Sequence, residues 1–367
     1  MRIRTVEGVN LFRVNSGRHL AAHPLFGVYS RRMISLWSVM WYCVLLGMTS
    51  SCWAFEAETP TAPAPTNPAP AVVAPDEVVV EGERPGPGIW QVSKGNHDLW
   101  ILPSLEPLPK KMVWRSQTVE QRIAQSQVVL APPMIQANVG FFRSLTLIPS
   151  LLRAEKSPDG QNLEQVLPHD VYIRWLGLRV KYLGSGDDEK KRPMLAAFDL
   201  YRHAIDHAGL TSQPIVWEAV EKQARKDHVA IQPITLTIPL EDPKGSIREL
   251  EKISRAAEID CFTKIIDRLE IDLQPMVKRA NFWALGDMEG LKSLPYPDER
   301  EACTNAFLTA PKIREQFEKA LSQSEDLWVS TVDRALDKNV STFAVLALPI
   351  DGLLDKLRAK GYVVKEP

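Results

Sequence analysis

Near residue 90, apolar residues fall into two short runs separated by a polar turn. Ile89–Ser93 and Asp98–Leu102 each have the length and the aromatic or β-branched content of a strand, and Gly95-Asn96 between them favours a tight turn. Val128–Leu130 is a third short apolar run, and Pro132-Pro133 ends it. The pattern therefore predicts a β-hairpin followed by a buried strand.

Through the middle of the chain, apolar residues recur every three or four positions, which is the spacing of one helix face. Helices are expected over residues 116–126, 163–178, 193–208, 214–224, 246–283 (interrupted near residue 275) and 313–337. Ala230–Ile238 alternates as a strand does, and the last residues indicate a strand, a turn, a helix and a final strand around Tyr362–Val364. Together these elements predict an α/β fold, with a mixed central β-sheet covered by helices and a largely helical middle region.

The N-terminal segment has the pattern of a secretory signal peptide. Residues 33–55 contain no charged side chain, Arg31-Arg32 precedes them, and the small residues Ala54 and Ala57 are possible cleavage positions at their end. An uncleaved anchor and a buried core helix are the open alternatives, since about 20 apolar residues can also span a bilayer. Signal and anchor both export the remainder, as a periplasmic or secreted protein or as one anchored in the inner membrane by residues 33–55.

The segment that follows has the composition of a disordered linker. Between residues 56 and 87 there are eight prolines, many alanines and no aromatic residue. Such a segment cannot bury enough apolar surface to offset the entropy lost on ordering. The sequence therefore predicts a targeting segment over residues 1–54, a Pro/Ala-rich linker over residues 55–87 and one domain over residues 88–367.

The charge distribution argues against nucleic acid as a partner. The chain has a formal net charge of -1, but residues 1–54 hold six arginines and one glutamate, which leaves about -6 for the rest. A mildly acidic domain without a basic patch has no general attraction for nucleic acid. We expect contact with a membrane only through the N-terminal segment.

Cys261 and Cys303 are the only cysteines beyond the targeting segment. In an oxidising compartment such a pair predicts one disulfide, and two buried free thiols are the alternative. No group of cysteines and histidines has the spacing of a structural zinc site.

Both ends of the domain resemble a known family. The first segment reads GPGIWQVSKGNHDLWIL and continues, through a Pro-Leu-Pro step at residues 107–109, to WRSQTVEQRIAQSQVVL. The last segment reads STFAVLALPIDGLLDKLRAKGYVVKEP, and residues 279–284 read RANFWA. These segments resemble the TraB/GumN family, which is distantly similar to the TIKI metalloproteases. The resemblance covers residues 88–367 and implies an α/β fold with two related halves.

The resemblance also implies a metal site with three ligand positions. Catalytic members of the family are expected to use a Gly-x-x-His after an early strand, an acidic residue after the next strand and a second Gly-x-x-His near the C-terminus. Two imidazoles and a carboxylate hold a divalent ion, which activates water against a carbonyl. The matching residues here are Glu106, Ala131 and Leu348-Pro349. We therefore expect no metal and no other cofactor, and a pseudoenzyme rather than an enzyme.

Glu106 and Arg279 are the candidates for a remnant of that site. A carboxylate at the end of a core strand can face the former metal cleft, where it needs a charged partner such as Arg279 or a shifted pKa. A solvated loop glutamate before a proline-rich turn is the alternative interpretation.

Asp199, His203 and His207 form a second, weaker candidate for metal binding. Their four-residue spacing places three possible ligands on one face of a helix. However, no glutamate follows His203 as in a HExxH site, and Arg202 beside them favours an ordinary polar surface.

The function expected from these features is that of an exported cell-envelope protein. It would be a non-catalytic or altered descendant of a metal-dependent peptidase-like scaffold, and it would bind a peptide, a glycan or an envelope protein. The alternative is an active hydrolase or peptidase with a rearranged site, built from Glu106 with Arg279 or from the face of Asp199, His203 and His207.

Overall fold

A computed structural model describes part of the chain, namely residues 10–14, 86–138, 146–158, 160–184, 189–240, 242–271, 273–294 and 298–367. Of residues 10–14 only the backbone is described. Apart from those residues, the predicted targeting segment lies outside the described part, and so does the predicted linker before residue 86. Among the described helices, none has the length and apolar character needed to cross a membrane.

Strands lie mainly towards the two ends of the domain. The described strands are β1 (Asn10–Val14), β2 (Trp90–Lys94), β3 (His97–Ser104), β4 (Leu108–Pro109), β5 (Val128–Leu130), β6 (Met134–Asn138), β7 (Leu210–Thr211), β8 (Ala230–Gln232), β9 (Thr235–Pro239), β10 (Ser341–Ala347) and β11 (Val363–Lys365). The predicted hairpin is confirmed, because β2 and β3 pair antiparallel on either side of the turn.

Helices fill the middle of the chain, as predicted. The described helices are α1 (Gln117–Ala124), α2 (Ile148–Ala154), α3 (Leu163–Val166), α4 (His169–Tyr182), α5 (Pro193–His207), α6 (Ile215–Lys226), α7 (Pro243–Leu250), α8 (Arg255–Ile271), α9 (Gln274–Leu285), α10 (Met288–Ser293), α11 (Asp298–Leu308), α12 (Pro311–Lys338) and α13 (Asp351–Ala359). The helix expected over residues 163–178 is divided into α3 and α4, because Pro168 lacks an amide donor and suits the start of a helix.

The main sheet has six strands in the order β11-β2-β3-β10-β5-β8. The four strands β3, β10, β5 and β8 run parallel, and β2 and β11 are antiparallel to their neighbours, so the sheet is mixed as predicted. In the register of β10, Ala347 lies opposite Ser104 of β3, and Ala344 lies opposite Leu130 of β5. The C-terminal strand is therefore inserted between two N-terminal strands.

The side chains of β10 alternate between the two faces of this sheet, with the two-residue period of a strand. Phe343 and Val345 pack with α1, α6 and α9 on one face, whereas Ala344 and Leu346 pack with α12 and α13 on the other. All of these side chains are buried. Because both faces of β10 are buried, its sequence is a nearly continuous run of apolar residues rather than an alternating one.

Prolines divide two of the parallel strands. β6 follows β5 after Pro132-Pro133, and β9 follows β8 after Pro233; β1, β6 and β9 form a separate parallel sheet. The single strand expected over Ala230–Ile238 is therefore wrong: Pro233, which has no amide hydrogen for a ladder hydrogen bond, separates β8 from β9, and the two strands belong to different sheets.

The helical middle region has its own core, in which α4, α5, α8 and α11 pack together. Trp175 and Phe262 are among its fully buried side chains. The stretch expected as one interrupted helix over residues 246–283 is three helices, α7, α8 and α9; Pro275 lies in the first turn of α9. A disulfide between Cys261 of α8 and Cys303 of α11, with the two Cα atoms 4.5 Å apart, confirms the predicted pairing.

Candidate functional site

The three positions that resemble metal-ligand positions follow the ends of three adjacent strands. Glu106, Ala131 and Leu348 come after β3, β5 and β10, and these strands are neighbours in the order β3-β10-β5. Because the strands are parallel, their carboxyl ends meet at the same edge of the sheet. We call this edge, with the residues that directly follow the three strands and the side chains that pack around them, the carboxyl edge.

The end of β3 is held by several different parts of the chain. The indole Nε1 of Trp283, on α9, donates a hydrogen bond of 2.8 Å to the carbonyl of Pro103. The amide of Leu348 donates to the carbonyl of Ser104 at 2.9 Å, which fixes the residue after β10 against β3. Leu105 packs against the apolar cluster around Trp283. The position of Glu106, the next residue, is therefore set by packing and hydrogen bonds.

Glu106 is half-buried, and its charged neighbour is Arg300 of α11. The guanidinium Nη2 of Arg300 donates to the main-chain carbonyl of Glu106 at 3.3 Å. Burial raises the pKa of the Glu106 carboxyl above its ordinary value, and the positive charge of Arg300 offsets part of that rise. Arg279, the partner expected from the sequence, donates from α9 to the carbonyl of Leu294 at 3.3 Å.

Further ionisable groups lie around Arg300. Tyr201 of α5 is half-buried, and burial together with the charge of Glu299 raises the pKa of its hydroxyl, while Arg300 and Arg268 act in the opposite sense. Arg268 itself donates to both carboxylate oxygens of Glu299 at 3.2 Å. Arg300 and Tyr201 were not predicted from the sequence. No motif marks them, and Arg300 lies 194 positions from Glu106 along the chain.

The loop after Glu106 connects the carboxyl edge to the helical middle region. β4 in this loop pairs antiparallel with β7, which follows α5. Lys110, just beyond β4, donates its amide to the carbonyl of Gly209 at 2.8 Å, and its ammonium forms a 2.6 Å ion pair with Asp206. Glu106 therefore lies on a short segment that is fixed at both ends.

Aromatic and aliphatic side chains surround the end of β3. Trp114 lies edge-on to Trp283, with ring centroids 5.4 Å apart. Trp114, Leu105 and Leu348 are each only partly buried and pack against the same cluster. The carboxyl edge thus combines partly exposed apolar surface with two charged side chains, which is the composition expected of a binding surface.

In the predicted metal-binding cluster on α5, the acidic side chain is already paired with lysine and arginine. The carboxylate of Asp199 forms ion pairs with Lys191 at 2.5 Å and with Arg202 at 2.8 Å. The ring of His207 lies edge-on to that of Tyr182. No group of three or more His, Cys, Asp or Glu residues within the described ranges could hold a metal ion, and His203 does not complete one.

The side chains at the carboxyl edge do not fit the metal centre that the resemblance implies. A structural or catalytic zinc site needs three or four nitrogen, oxygen or sulfur ligands. Of the three matching positions, only Glu106 has a ligating atom, since Ala131 and Leu348 end in hydrocarbon. The donor atoms for a three-ligand site are therefore missing at those positions.

Of three comparisons with known proteins, the one with family models agrees with the sequence resemblance. Neither the search of curated proteins nor the search of solved structures found a match. The family model described as "TraB/PrgY/gumN family" matches residues 88–366, which include the whole carboxyl edge and the helical middle region. The chain belongs to the TraB/PrgY/gumN family.

Proposed function

We propose that this protein is an exported cell-envelope member of the TraB/PrgY/gumN family that binds a peptide, a glycan or another envelope protein. Binding occurs at the carboxyl edge, and the metal-dependent peptidase chemistry expected of catalytic relatives is lost. The protein is a pseudoenzyme or an altered descendant of such an enzyme.

One observation carries this proposal. Glu106, Ala131 and Leu348 lie at one edge of the sheet, where the family resemblance places metal ligands, and two of the three have no donor atom. The family model nevertheless matches residues 88–366, and the hydrogen bond from Trp283 to Pro103 holds the end of β3. Loss of the ligands with retention of the scaffold favours binding over metal-dependent hydrolysis.

Export is supported by two independent features of the chain. The apolar stretch over residues 33–55 follows Arg31-Arg32, as in a signal peptide or an anchor. The disulfide between Cys261 and Cys303 suits an oxidising compartment, since intracellular thiols are usually kept reduced. Both features support a periplasmic, secreted or membrane-anchored location.

Metal content tests the loss of peptidase chemistry. The purified full chain is expected to retain no stoichiometric divalent metal after dialysis, measured by atomic emission, and to show no chelator-sensitive peptidase activity. A matched variant carrying Glu106→His, Ala131→Glu and Pro349→His places donor side chains at the three ligand positions that the resemblance implies, and it serves as the positive comparison. One tightly bound metal per unaltered chain, together with peptidase activity that a chelator removes, would overturn the proposal.

Protease protection tests export. In intact spheroplasts of a bacterium that expresses the chain, added protease should digest the domain, whereas a chain lacking residues 31–55 should stay protected inside. The mass of the recovered protein distinguishes a cleaved signal from an anchor. Protection of the unaltered chain would contradict an exported domain.

A hydrolase with a rearranged site is the second candidate, and the half-buried carboxyl of Glu106 favours it. Because burial raises the pKa of this carboxyl, its protonated form persists to higher pH and can act as a general acid. Any activity found by screening peptides and esters should then fall in Glu106→Gln and remain in His203→Ala. An activity unchanged in both variants would exclude these residues as its source.

A further inference from the structure

Arg300 and Glu106 are adjacent and opposite in charge, yet their side chains do not form a salt bridge with each other. Arg300 is exposed. In the described part of the chain, its guanidinium makes one hydrogen bond, of 3.3 Å, from Nη2 to the main-chain carbonyl of Glu106. A guanidinium has five N–H donors, so most of its donors have no partner among the residues that the structure describes. The Glu106 carboxylate likewise has no hydrogen-bond partner within that part of the chain.

Two charged side chains on the segments that carry this pair, Glu299 and Lys110, already have ionic partners. Glu299, next to Arg300 on α11, accepts from Arg268, and both of those side chains are largely buried. Lys110, beyond the loop that carries Glu106, is paired with Asp206. Among the residues that the structure describes, Arg300 is therefore a cation beside Glu106 with hydrogen-bonding capacity available to a ligand.

The arrangement selects a particular ligand group. A guanidinium fork matches the two oxygens of a carboxylate, and such pairs are among the stronger hydrogen bonds in proteins. Glu106 beside it accepts a hydrogen bond when ionised, so the part of the ligand that faces Glu106 carries a donor rather than a second negative charge. A ligand that satisfies both side chains therefore presents a carboxylate to Arg300 and, next to it, an N–H or O–H donor to Glu106.

We propose that Arg300 and Glu106 together bind a carboxylate group that has an adjacent hydrogen-bond donor. A peptide C-terminus, whose last amide N–H lies one Cα from the carboxylate, has this chemistry, and so does a sugar acid, whose hydroxyl is the donor. The inference rests on the proposed function, because it names the ligand group of the same site. Trp114, Leu105 and Leu348 supply apolar surface for the rest of the ligand.

Matched acid and neutral ligands test the inference. Isothermal titration of the full chain is carried out with an acetylated dipeptide that ends in an apolar residue, as the free acid and as the amide. Glucuronic acid and glucose form the second pair, and inorganic phosphate is a separate titrant. The acid of one pair is expected to bind about tenfold or more tightly than its neutral counterpart, since a charge-assisted hydrogen bond is lost in the neutral form. The pair that shows the difference identifies the source of the carboxylate.

Substitutions assign that difference to residues. Arg300→Gln should abolish the preference for the acid, and Arg300→Lys should retain part of it, because the charge remains without the fork. Arg314→Gln is the matched control: Arg314 is another exposed arginine whose guanidinium donates to a main-chain carbonyl, that of Leu308 at 2.7 Å. This variant should bind like the unaltered chain.

Several results would overturn the inference. These are equal binding of acid and neutral ligands, an acid preference that survives Arg300→Gln, tighter binding of phosphate than of either acid, and no binding of any titrant at millimolar concentration. None of them alters the metal measurement, which tests the proposed function separately. Conversely, a stoichiometric metal would refute the proposed function whatever the titrations show.

Discussion

The helical middle region and the carboxyl edge of the sheet differ in whether their charged side chains form ion pairs. In the helical region, buried charges are paired: Arg192 and Glu258 form a 2.8 Å ion pair with both side chains under 5% exposed, and Arg268 pairs with Glu299. At the carboxyl edge, the half-buried Glu106 faces Arg300 without a salt bridge between their side chains. Paired charges hold helices together, whereas charges with free bonding capacity are available to a ligand.

The two regions also differ in what stabilises them. The six-stranded sheet has two apolar faces filled by side chains such as Phe343 and Trp328, both fully buried. The helical region has an apolar core as well, but a disulfide and an ion pair connect its helices in addition. Ionic and covalent links should therefore matter to stability in the helical region, and single polar changes at the carboxyl edge should affect ligands more than folding.

The largest effect is expected from Glu258→Ala. Within the described part of the chain, this change leaves the buried guanidinium of Arg192 with its 2.5 Å hydrogen bond to the carbonyl of Leu250 as the one remaining side-chain bond. Breaking a buried ion pair by removing one partner costs about 3–5 kcal/mol. The free energy of unfolding of the full chain, from urea titration, should fall by that amount.

A double variant distinguishes the loss of the ion pair from the cost of leaving the Arg192 guanidinium buried without its partner. Arg192→Met with Glu258→Leu removes both charges and fills a similar volume, so it should be clearly more stable than Glu258→Ala alone. Glu301→Gln is an exposed substitution that serves as the reference. If Glu258→Ala changed the free energy of unfolding by less than Glu301→Gln does, the pair would not be the structural link that we infer.

Loss of the disulfide should have the next largest effect. Cys261 and Cys303 are 42 positions apart, and a native disulfide typically contributes about 2–4 kcal/mol, largely by restricting the unfolded chain. Cys261→Ala with Cys303→Ala should therefore lower the unfolding free energy by about that amount. Dithiothreitol should destabilise the unaltered chain to the same extent and leave the double variant unchanged. Equal stability with and without reductant would indicate free thiols instead.

At the carboxyl edge, Trp283→Phe tests the support of β3. The substitution keeps most of the apolar contacts but removes the indole donor, and it leaves the carbonyl of Pro103 without that bond. The expected loss is about 1–3 kcal/mol of unfolding free energy. Trp217→Phe is the control, because Trp217 packs against the same cluster and has no hydrogen bond in the described residues. Equal losses in both variants would show that volume, rather than the hydrogen bond, matters.

Local signals predicted much of the fold, because they depend on neighbouring residues. The hairpin turn at Gly95-Asn96 and the helix that begins at Pro193 lie where the pattern places them. Pro168 and Pro233 lie at the breaks within elements that were predicted as continuous. The prolines were therefore a visible signal for these breaks, and the prediction missed them because it relied on the spacing of apolar residues. The targeting segment stays a prediction, since its apolar stretch lies outside the described residues.

The candidate site was only half predictable, since it depends on contacts that are distant in the chain. The resemblance located Glu106, Ala131 and Leu348, and the parallel order of β3, β10 and β5 brings them to one edge. Arg300 was missed because a charged residue in the first turn of a helix is common and nothing local connects it to Glu106. The partner of a buried charge is set by tertiary packing, which a single sequence does not reveal.

The smallest effect on stability is expected from Glu106→Gln, and it depends on pH. Because burial raises the pKa of Glu106 in the folded chain, the folded state holds this proton to higher pH than the unfolded state does. Stability contributed by the protonated form is therefore present below the ordinary carboxyl pKa and is lost as pH rises through the raised value. The glutamine variant has no such loss.

The Glu106→Gln variant should match the unaltered chain near pH 4 and be more stable by less than about 1 kcal/mol at pH 7, since the side chain is half-buried. Urea titrations at both pH values measure this, with Glu301→Gln as an exposed control on the same helix as Arg300. A difference that does not change with pH would mean that burial does not raise the pKa of Glu106. A difference that favours glutamate at neutral pH would mean that Glu106 has a stabilising partner at the carboxyl edge and is not available to a ligand.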